Sequence, residues 1–104
     1  MDLYFLGAFA TAIPSNSDLN NYLNIGNYYA SNATLARTLS NCPVEIGFCM
    51  EVRSTNAGSM PSSPSAARLQ QRLWVNASPK EYRRVWNGSS WSSWYEVVMQ
   101  AVSS

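Results

Sequence analysis

Histidine is absent from this sequence, and charged residues make up only 12% of its 104 positions. Without histidine, the chain lacks the side chain that proteins use most often as a general base and as a metal ligand. The charged fraction is about half of the usual value of about 25%, and the net charge is +1. The sequence therefore gives no electrostatic reason to expect a nucleic acid or an anionic membrane as a partner.

Long apolar runs are also missing. The apolar run over residues 3–10 follows no basic segment and is far too short to cross a bilayer. We interpret it as a first β-strand, and we expect neither a targeting signal nor membrane insertion.

Cysteine occurs only at Cys42 and Cys49. In an extended segment these two residues would lie ~23 Å apart, beyond the reach of a disulfide. Two thiols without a histidine do not make a zinc site either. We therefore expect two reduced, buried thiols and no metal.

Six carboxylates remain as candidate catalytic groups. Glu45 and Glu51 share a predicted strand face, but their separation along the strand is ~20 Å, too far for two carboxylates that act together on a glycosidic bond. The sequence contains neither a nucleophile-elbow motif nor a phosphate-binding glycine loop. We therefore predict a protein that is not an enzyme and that needs no cofactor.

The length predicts one domain over residues 1–104. Solubility depends mainly on uncharged polar side chains, chiefly serine and asparagine. This composition is more typical of extracellular, virion or adhesin β-proteins than of cytosolic enzymes.

The N-terminal half predicts one short helix beside a strand. Asp18 can cap a helix over residues 18–23, because its side chain can accept from the free amides of the first turn. Residues 27–30 then predict a strand. Residues 34–39 fit either one helical turn or a loop that carries its two leucines inward.

The clearest strand pattern places five apolar residues at period two. These residues are Val44, Ile46, Phe48, Met50 and Val52. Their alternation predicts a half-buried strand with one wet face. The next segment, residues 54–66, is rich in serine, proline and glycine and predicts a flexible loop.

A β-hairpin is predicted over residues 68–87. Its first strand alternates between an inward set, Leu69, Gln71, Leu73 and Val75, and an outward set, Gln70, Arg72, Trp74 and Asn76. A turn at 77–80 returns the chain as a second strand over 81–86. Asn87-Gly88 predicts a tight reversal, and residues 91–99 then form a last strand. The predicted fold class is mainly β with one short N-terminal helix (α+β), as a small antiparallel sheet or sandwich.

Aromatic residues flanked by polar ones on an outward strand face suit a saccharide or peptide ligand. Aromatic rings stack on sugar C–H faces while polar side chains bond the hydroxyls. The candidate ligand-binding residues are Arg72, Trp74, Tyr82, Arg84 and Trp86. The alternative is that these aromatics cover the sheet or are buried against a neighbouring subunit.

Trp91 and Trp94 are predicted to be structural rather than ligand-contacting. Large aromatics beside a turn commonly close the end of a small β-fold, where their burial stabilises it. We expect Arg83 or Arg84 to lie over an indole face, because a planar guanidinium stacks there better than an ammonium does.

Several short motifs occur together in an order that resembles the pyocin-knob domains, small repeated modules in the fibres and tailspikes of phages and of phage-tail-like bacteriocins. The motifs are Asp18-Leu19-Asn20, Gly26-Asn27-Tyr28-Tyr29, Asn41-Cys42-Pro43, an apolar strand, Leu69-Gln70-Gln71-Arg72-Leu73, Tyr82-Arg83-Arg84 and Trp91-Ser92-Ser93-Trp94. The resemblance covers roughly residues 13–97. The sequence departs from the usual pattern in its long 54–66 loop.

The resemblance implies a homotrimeric virion fibre module near the receptor-binding end of the fibre, made in the bacterial cytoplasm and acting outside the cell. Its partners would be other copies of the chain, neighbouring fibre domains and a host cell-surface glycan or protein. The family's ligand-binding residues are not firmly defined, so none is carried over.

A second hypothesis is a stand-alone carbohydrate-binding module in which Trp74, Tyr82 and Trp86 form an open platform. A third, an enzyme fragment such as the tip of a capsule depolymerase, has almost no support in these residues.

Overall fold

The computed structural model describes residues 10–56 and 64–102. Within these ranges the strands are β1 (Thr11–Ala12), β2 (Gly26–Ala30), β3 (Phe48–Ser54), β4 (Leu69–Val75), β5 (Glu81–Trp86) and β6 (Tyr95–Glu96). The helical segments are the α-helix α1 (Ala33–Ala36) and two 3-10 turns (Leu19–Asn21 and Pro64–Ala66). Residues 3–9 of the predicted first strand and residues 57–63 of the predicted loop lie outside the described residues.

The strands form one open sheet in chain order, from β1 to β6. β1 runs parallel to β2, and every later neighbouring pair is antiparallel. Antiparallel neighbours need only short connections, so each strand can pair with the next along the chain. The prediction of a mainly β fold is confirmed, and within the described ranges the strands make one sheet rather than two packed sheets.

One face of the sheet, which we call the inner face, carries the hydrophobic core. Successive residues of a strand point to opposite sides of the sheet, so alternate residues of β3 and β4 are buried here. The buried strand residues are Phe48, Met50, Val52, Leu69, Gln71, Leu73 and Val75. Leu19 and Ala36 cover them from the first 3-10 turn and from α1. The inward set predicted for β4 is confirmed, and the core lies between the sheet and a layer of short helical turns and loops.

β3 begins at Phe48 rather than at Val44 as predicted. Val44 still packs half-buried against the core, but Ile46 is 45% exposed. The ladder between β3 and β4 ends at the pair Phe48–Val75, because β4 ends there. Without a partner strand, the alternation before Phe48 does not produce a strand.

The predicted N-terminal helix over 18–23 is a single 3-10 turn. Asp18 caps it as predicted and accepts from an amide of the turn at 2.8 Å. Gln71 Nε2 donates to the carbonyl oxygens of Leu19 and Tyr22 at 2.9 and 3.1 Å. The Leu19 carbonyl oxygen also accepts from the Tyr22 N–H at 3.2 Å, which closes the 3-10 turn. Bonds to β4 thus take the place of the further bonds that a longer helix would make.

The segment that was ambiguous in the sequence contains α1. Asn32 caps this helix by accepting from the Leu35 N–H at 2.9 Å. Leu35 and Leu39 are half-buried against the core.

None of the helical segments in the described part of the chain has the length or apolar character needed to cross a membrane.

The last strand is shorter than the predicted span of 91–99. Regular pairing is limited to Tyr95–Glu96, and Trp91 adds an isolated bridge to Trp86. Between these pairs, the indoles of Trp91 and Trp94 reach across to the N-terminal loops. The continuous ladder expected from the sequence is therefore interrupted.

Both cysteines are free, as predicted. Cys42 is half-buried, and burial raises the pKa of its thiol. Cys49 lies on the opposite face of β3 from Phe48 and Met50 and is exposed. The prediction of two buried thiols is therefore wrong for Cys49.

Candidate functional site

The reversal predicted at Asn87-Gly88 is present and joins Trp86 to Trp91 through residues 87–90. Asn87 Oδ1 accepts two backbone N–H groups of this loop, both at 3.0 Å. Gly88 has a φ of +101°, which residues with a Cβ rarely adopt. The turn brings the two indoles together, with ring centroids 5.5 Å apart and an interplanar angle of 57°.

Arg84 lies on the inner face of β5 and is only 4% exposed. Its Nε donates to Gln71 Oε1 at 2.8 Å, and its Nη1 donates to Asn20 Oδ1 at 2.7 Å. The guanidinium carbon lies 4.6 Å from the ring centroids of both Trp91 and Trp94. Each ring face attracts the planar cation. The prediction of an arginine over an indole is confirmed for Arg84.

Trp91 and Trp94 are fixed by hydrogen bonds as well as by packing. The Trp91 indole N–H donates to the Asn20 carbonyl oxygen at 3.0 Å, and that of Trp94 donates to the Asn41 carbonyl oxygen at 2.8 Å. Both rings also pack against the core. A partner for the N–H lets an indole be buried without an unsatisfied donor. The two tryptophans therefore have the packing role that the sequence predicted.

Arg84 and Asp18 set the charge of this cluster. Burial lowers the pKa of the Arg84 guanidinium to about 10, while Asp18 acts in the opposite direction. Hydrogen bonds from Asn41 Nδ2 and from the Asn20 backbone amide lower the pKa of Asp18. Both groups are therefore ionised at neutral pH. In the described part of the chain, Arg84 Nη2 is buried without a hydrogen-bond partner.

A cleft of about 420 Å³ opens beside this cluster. Its size lies within the range of small-molecule sites, about 300–1,000 Å³. Its lining consists of four serines between positions 89 and 93, two asparagines (Asn20 and Asn41), and Arg84, Trp86 and Trp91. We call this the Arg84 cleft. It presents hydrogen-bonding groups and aromatic surface to a ligand.

The structure divides the five predicted ligand-binding residues between the two faces of the sheet. Arg72 and Trp74 lie on the outer face of β4. Tyr82, Arg84 and Trp86 lie on the inner face of β5, where each is paired across the ladder with a buried residue of β4. Arg84 and Trp86 line the Arg84 cleft, whereas Tyr82 lines a separate depression of about 360 Å³. The open platform of Trp74, Tyr82 and Trp86 is therefore not formed, and ligand binding by the individual residues stays a prediction.

The outer face carries an ion-paired cluster around Glu81. Glu81 Oε2 lies 3.1 Å from Arg72 Nη2 and 2.9 Å from Arg83 Nε. Burial raises the pKa of Glu81, but the hydrogen bonds from Arg83 and Arg72 outweigh this effect and leave the pKa lowered. Arg72 also lies 5.0 Å from the centroid of the Trp74 ring. The cluster holds these long side chains against the sheet.

Metal binding finds no support in the placement of the side chains. Among residues 10–56 and 64–102, no three or more His, Cys, Asp or Glu side chains are grouped so that they could hold an ion.

Asn20, Asn41 and the cleft serines were not among the predicted ligand-binding residues. Trp91 lies 71 residues from Asn20, and Trp94 lies 53 residues from Asn41. No local periodicity reports contacts at such separations. The signal in the sequence is that both asparagines, Ser92 and Ser93 belong to the motifs of the family resemblance.

No protein-family model matches the chain, and no curated protein matches it. Solved structures do match. The R1 pyocin fibre of P. aeruginosa, comprising C-terminal residues 323–701, aligns with a TM-score of 0.69 and 19% identity, over 90% of this chain and 24% of that chain. An N-truncated R2-type pyocin tail fibre aligns with a TM-score of 0.69 and 15% identity, over 85% and 32%. The R2 pyocin fibre of P. aeruginosa, comprising C-terminal residues 323–691, aligns with a TM-score of 0.68 and 17% identity, over 90% and 25%.

These likenesses show that the chain has the fold of a pyocin tail-fibre domain. The resemblance inferred from the short motifs is confirmed at the level of the fold. The chain spans only a quarter to a third of the fibre chains that it matches.

Proposed function

We propose that this chain is a non-enzymatic module of a phage tail fibre, a tailspike or a phage-tail-like bacteriocin fibre. The observation that carries the proposal is the shared fold over 85–90% of the chain with pyocin fibre structures, at TM-scores of 0.68–0.69. In this proposal the chain forms homotrimers, contacts neighbouring fibre domains and presents a surface to the host cell envelope.

The outer face of the sheet supports the proposed association. Val85 and Tyr95 lie on this face and are 46% and 67% exposed, and Tyr29 on β2 is also exposed. The nearby charges are of both signs, since Glu81 pairs with Arg72 and Arg83, and this mixture limits the repulsion of a second copy. Large apolar side chains exposed on one face suit a contact with another protein surface.

Analytical ultracentrifugation of the wild type and two lysine variants tests this association. We expect the wild type to sediment as a trimer and Val85→Lys to shift toward the monomer, because a lysine there would be forced into the contact. Thr34→Lys, on the exposed side of α1, is the matched control and should remain trimeric. A wild type that stays monomeric at all concentrations would count against the trimer.

Attachment to the host is the second part of the proposal. The module would be made in the bacterial cytoplasm and act outside it as part of the particle, where its partner would be a cell-surface glycan or protein. Fluorescently labelled protein should bind whole bacteria saturably, and only some strains in a panel. Uniformly absent binding would leave a spacer role within the fibre and contradict host attachment.

The stand-alone carbohydrate-binding module is the less favoured function. Its proposed platform needs Trp74 and Tyr82 on one surface, and these residues point to opposite faces of the sheet.

A further inference from the structure

We infer that the Arg84 cleft binds a neutral pyranose unit of a surface saccharide. The inference rests on the proposed role in host attachment and names both the site and the class of ligand. Arg72 and Trp74 lie on the outer face and take no part in this site.

The cleft combines aromatic surface with uncharged hydrogen-bonding groups. Trp86 and Trp91 are half-buried in its wall and form a tilted pair. The C–H faces of a pyranose ring stack on such surfaces, while hydroxyl and amide groups bond its hydroxyls. Serines and asparagines supply those groups around the tryptophans. This mixture suits a sugar better than it suits an apolar molecule.

Several polar groups in the lining are available to a ligand. The Ser90 and Ser93 hydroxyls and Asn20 Nδ2 make no hydrogen bond to other residues within the described ranges. In contrast, the Ser89 hydroxyl donates to Asn87 Oδ1, and the Ser92 hydroxyl accepts from the Val85 amide. The lining thus divides into groups that hold the turn together and groups that remain for binding.

Contacts within the protein hold the serine turn and the Trp91 indole in place without a ligand. Asn87 fixes the serine turn through two backbone amides. Arg84 holds Trp91 in place from one side, and the Asn20 carbonyl oxygen accepts its indole N–H. A site whose side chains are already ordered loses little conformational entropy on binding, which raises affinity for a small ligand.

Charge favours a neutral sugar over an acidic one. Among the described residues, Arg84 is the only charged one that lines the cleft, but it is 4% exposed and interacts electrostatically with Asp18. Its cation is therefore compensated by an aspartate and stacked between indoles, with little surface for a ligand. We assign Arg84 to positioning Trp91, and direct binding to Ser90, Ser93, Asn20 and the indoles of Trp86 and Trp91.

Filling the cleft tests the inference with matched variants. Wild type, Ser90→Trp and Ser93→Trp would be screened on an array of neutral and acidic bacterial glycans. Ser15→Trp, in an exposed loop outside the lining, carries the same substitution as a control. We expect wild type and Ser15→Trp to bind at least one neutral glycan. Both cleft variants should lose at least about tenfold in affinity for it.

An NMR titration of the wild type is the second measurement and does not depend on how the variants fold. Adding the oligosaccharide found on the array should shift the Trp91 indole N–H and the amides of residues 89–93. Shifts confined to the outer face or to the depression beside Tyr82 would overturn the inference. So would undiminished binding by well-folded Ser90→Trp and Ser93→Trp, or binding of acidic glycans only.

Cell binding separates this inference from the broader proposal. If the wild type binds no glycan on the array but still binds bacteria, the cleft assignment fails and the host-attachment role stands. If the wild type binds neither, both fail. Loss of cell binding in Ser90→Trp but not in Ser15→Trp would support the two together.

Discussion

Replacing Arg84 by alanine is the most direct test of how much the stacking of Arg84 between Trp91 and Trp94 stabilises the fold. The change leaves Gln71 Oε1 without its donor in the interior, which costs about 1–3 kcal/mol. Loss of the cation from two indole faces costs roughly 0.5–2 kcal/mol for each face. Removing a buried charge returns part of its desolvation cost. We expect the free energy of unfolding to fall by about 2–4 kcal/mol, a large share of the ~5–15 kcal/mol typical of a domain.

Urea unfolding followed by tryptophan fluorescence measures this loss. All variants should be compared at one protein concentration, because association shifts apparent stability. The midpoint should fall with an unchanged slope, and the melting temperature should drop by roughly 10–20 °C.

Two further substitutions make the result interpretable. Arg83→Ala removes the neighbouring arginine, which lies on the outer face with 43% of its side chain exposed. This change should lower the free energy of unfolding by no more than ~1 kcal/mol. Arg84→Lys keeps the charge but not the planar group, and it should restore only part of the loss. If Arg84→Ala and Arg83→Ala were equally stable, or if lysine restored full stability, the role assigned to the stacked guanidinium would be refuted.

Three other substitutions test the core, the packing of Trp94 and the ion cluster on the outer face. Leu73→Ala should cost about 2–5 kcal/mol, because Leu73 is fully buried in the middle of β4; an unchanged urea midpoint would contradict this. Trp94→Ala should cost about 3–5 kcal/mol, so thermal melts should show unfolding or disassembly before any change in glycan specificity. A Trp94→Ala protein that melts like wild type yet loses its ligand would move Trp94 into the binding site. Glu81→Gln should be less stable than wild type at pH 7. Because the pKa of Glu81 is lowered from 4.5 in the folded protein, its contribution is present above that value and is lost as pH falls through the folded pKa. A stability difference independent of pH would argue against this ion cluster.

The β4–β5 hairpin shows what local pattern could predict. Period two over residues 69–75 identified the buried set, including Gln71, whose burial a simple hydrophobic scale would not suggest. The alternation reports the direction of each side chain because a strand has a fixed repeat. The donors and acceptors that satisfy Gln71 could not be predicted, since they come from Leu19, Tyr22 and Arg84.

The relation between the two strands was harder to predict than either strand. The sequence correctly grouped Arg72 with Trp74, and Tyr82 with Trp86. Which groups share a face depends on the register, and a shift of one residue reverses every side chain of one strand. The observed register pairs Trp74 with Glu81, so the two groups lie on opposite faces.

The ends of β3 and β6 were predicted incorrectly for a related reason. Apolar alternation extends back to Val44, and β-forming residues extend forward to Met99, but a strand persists only where a neighbour supplies hydrogen bonds. Those neighbours are set by the tertiary structure. The Arg84 cleft likewise joins residue 20 to residues 84–93, and no window of sequence contains both.

The bonds that Asn20 receives from Arg84 and Trp91 have a consequence for folding during synthesis. They close loops of 64 and 71 residues, and the Gln71 bond to Leu19 closes one of 52. Contacts between such distant positions slow folding, because the entropy of loop closure is lost before they form. A nascent chain that has not yet released Trp91 from the ribosome cannot complete the layer that covers its sheet. The fold is therefore completed only once Trp91 and Trp94 have left the ribosome.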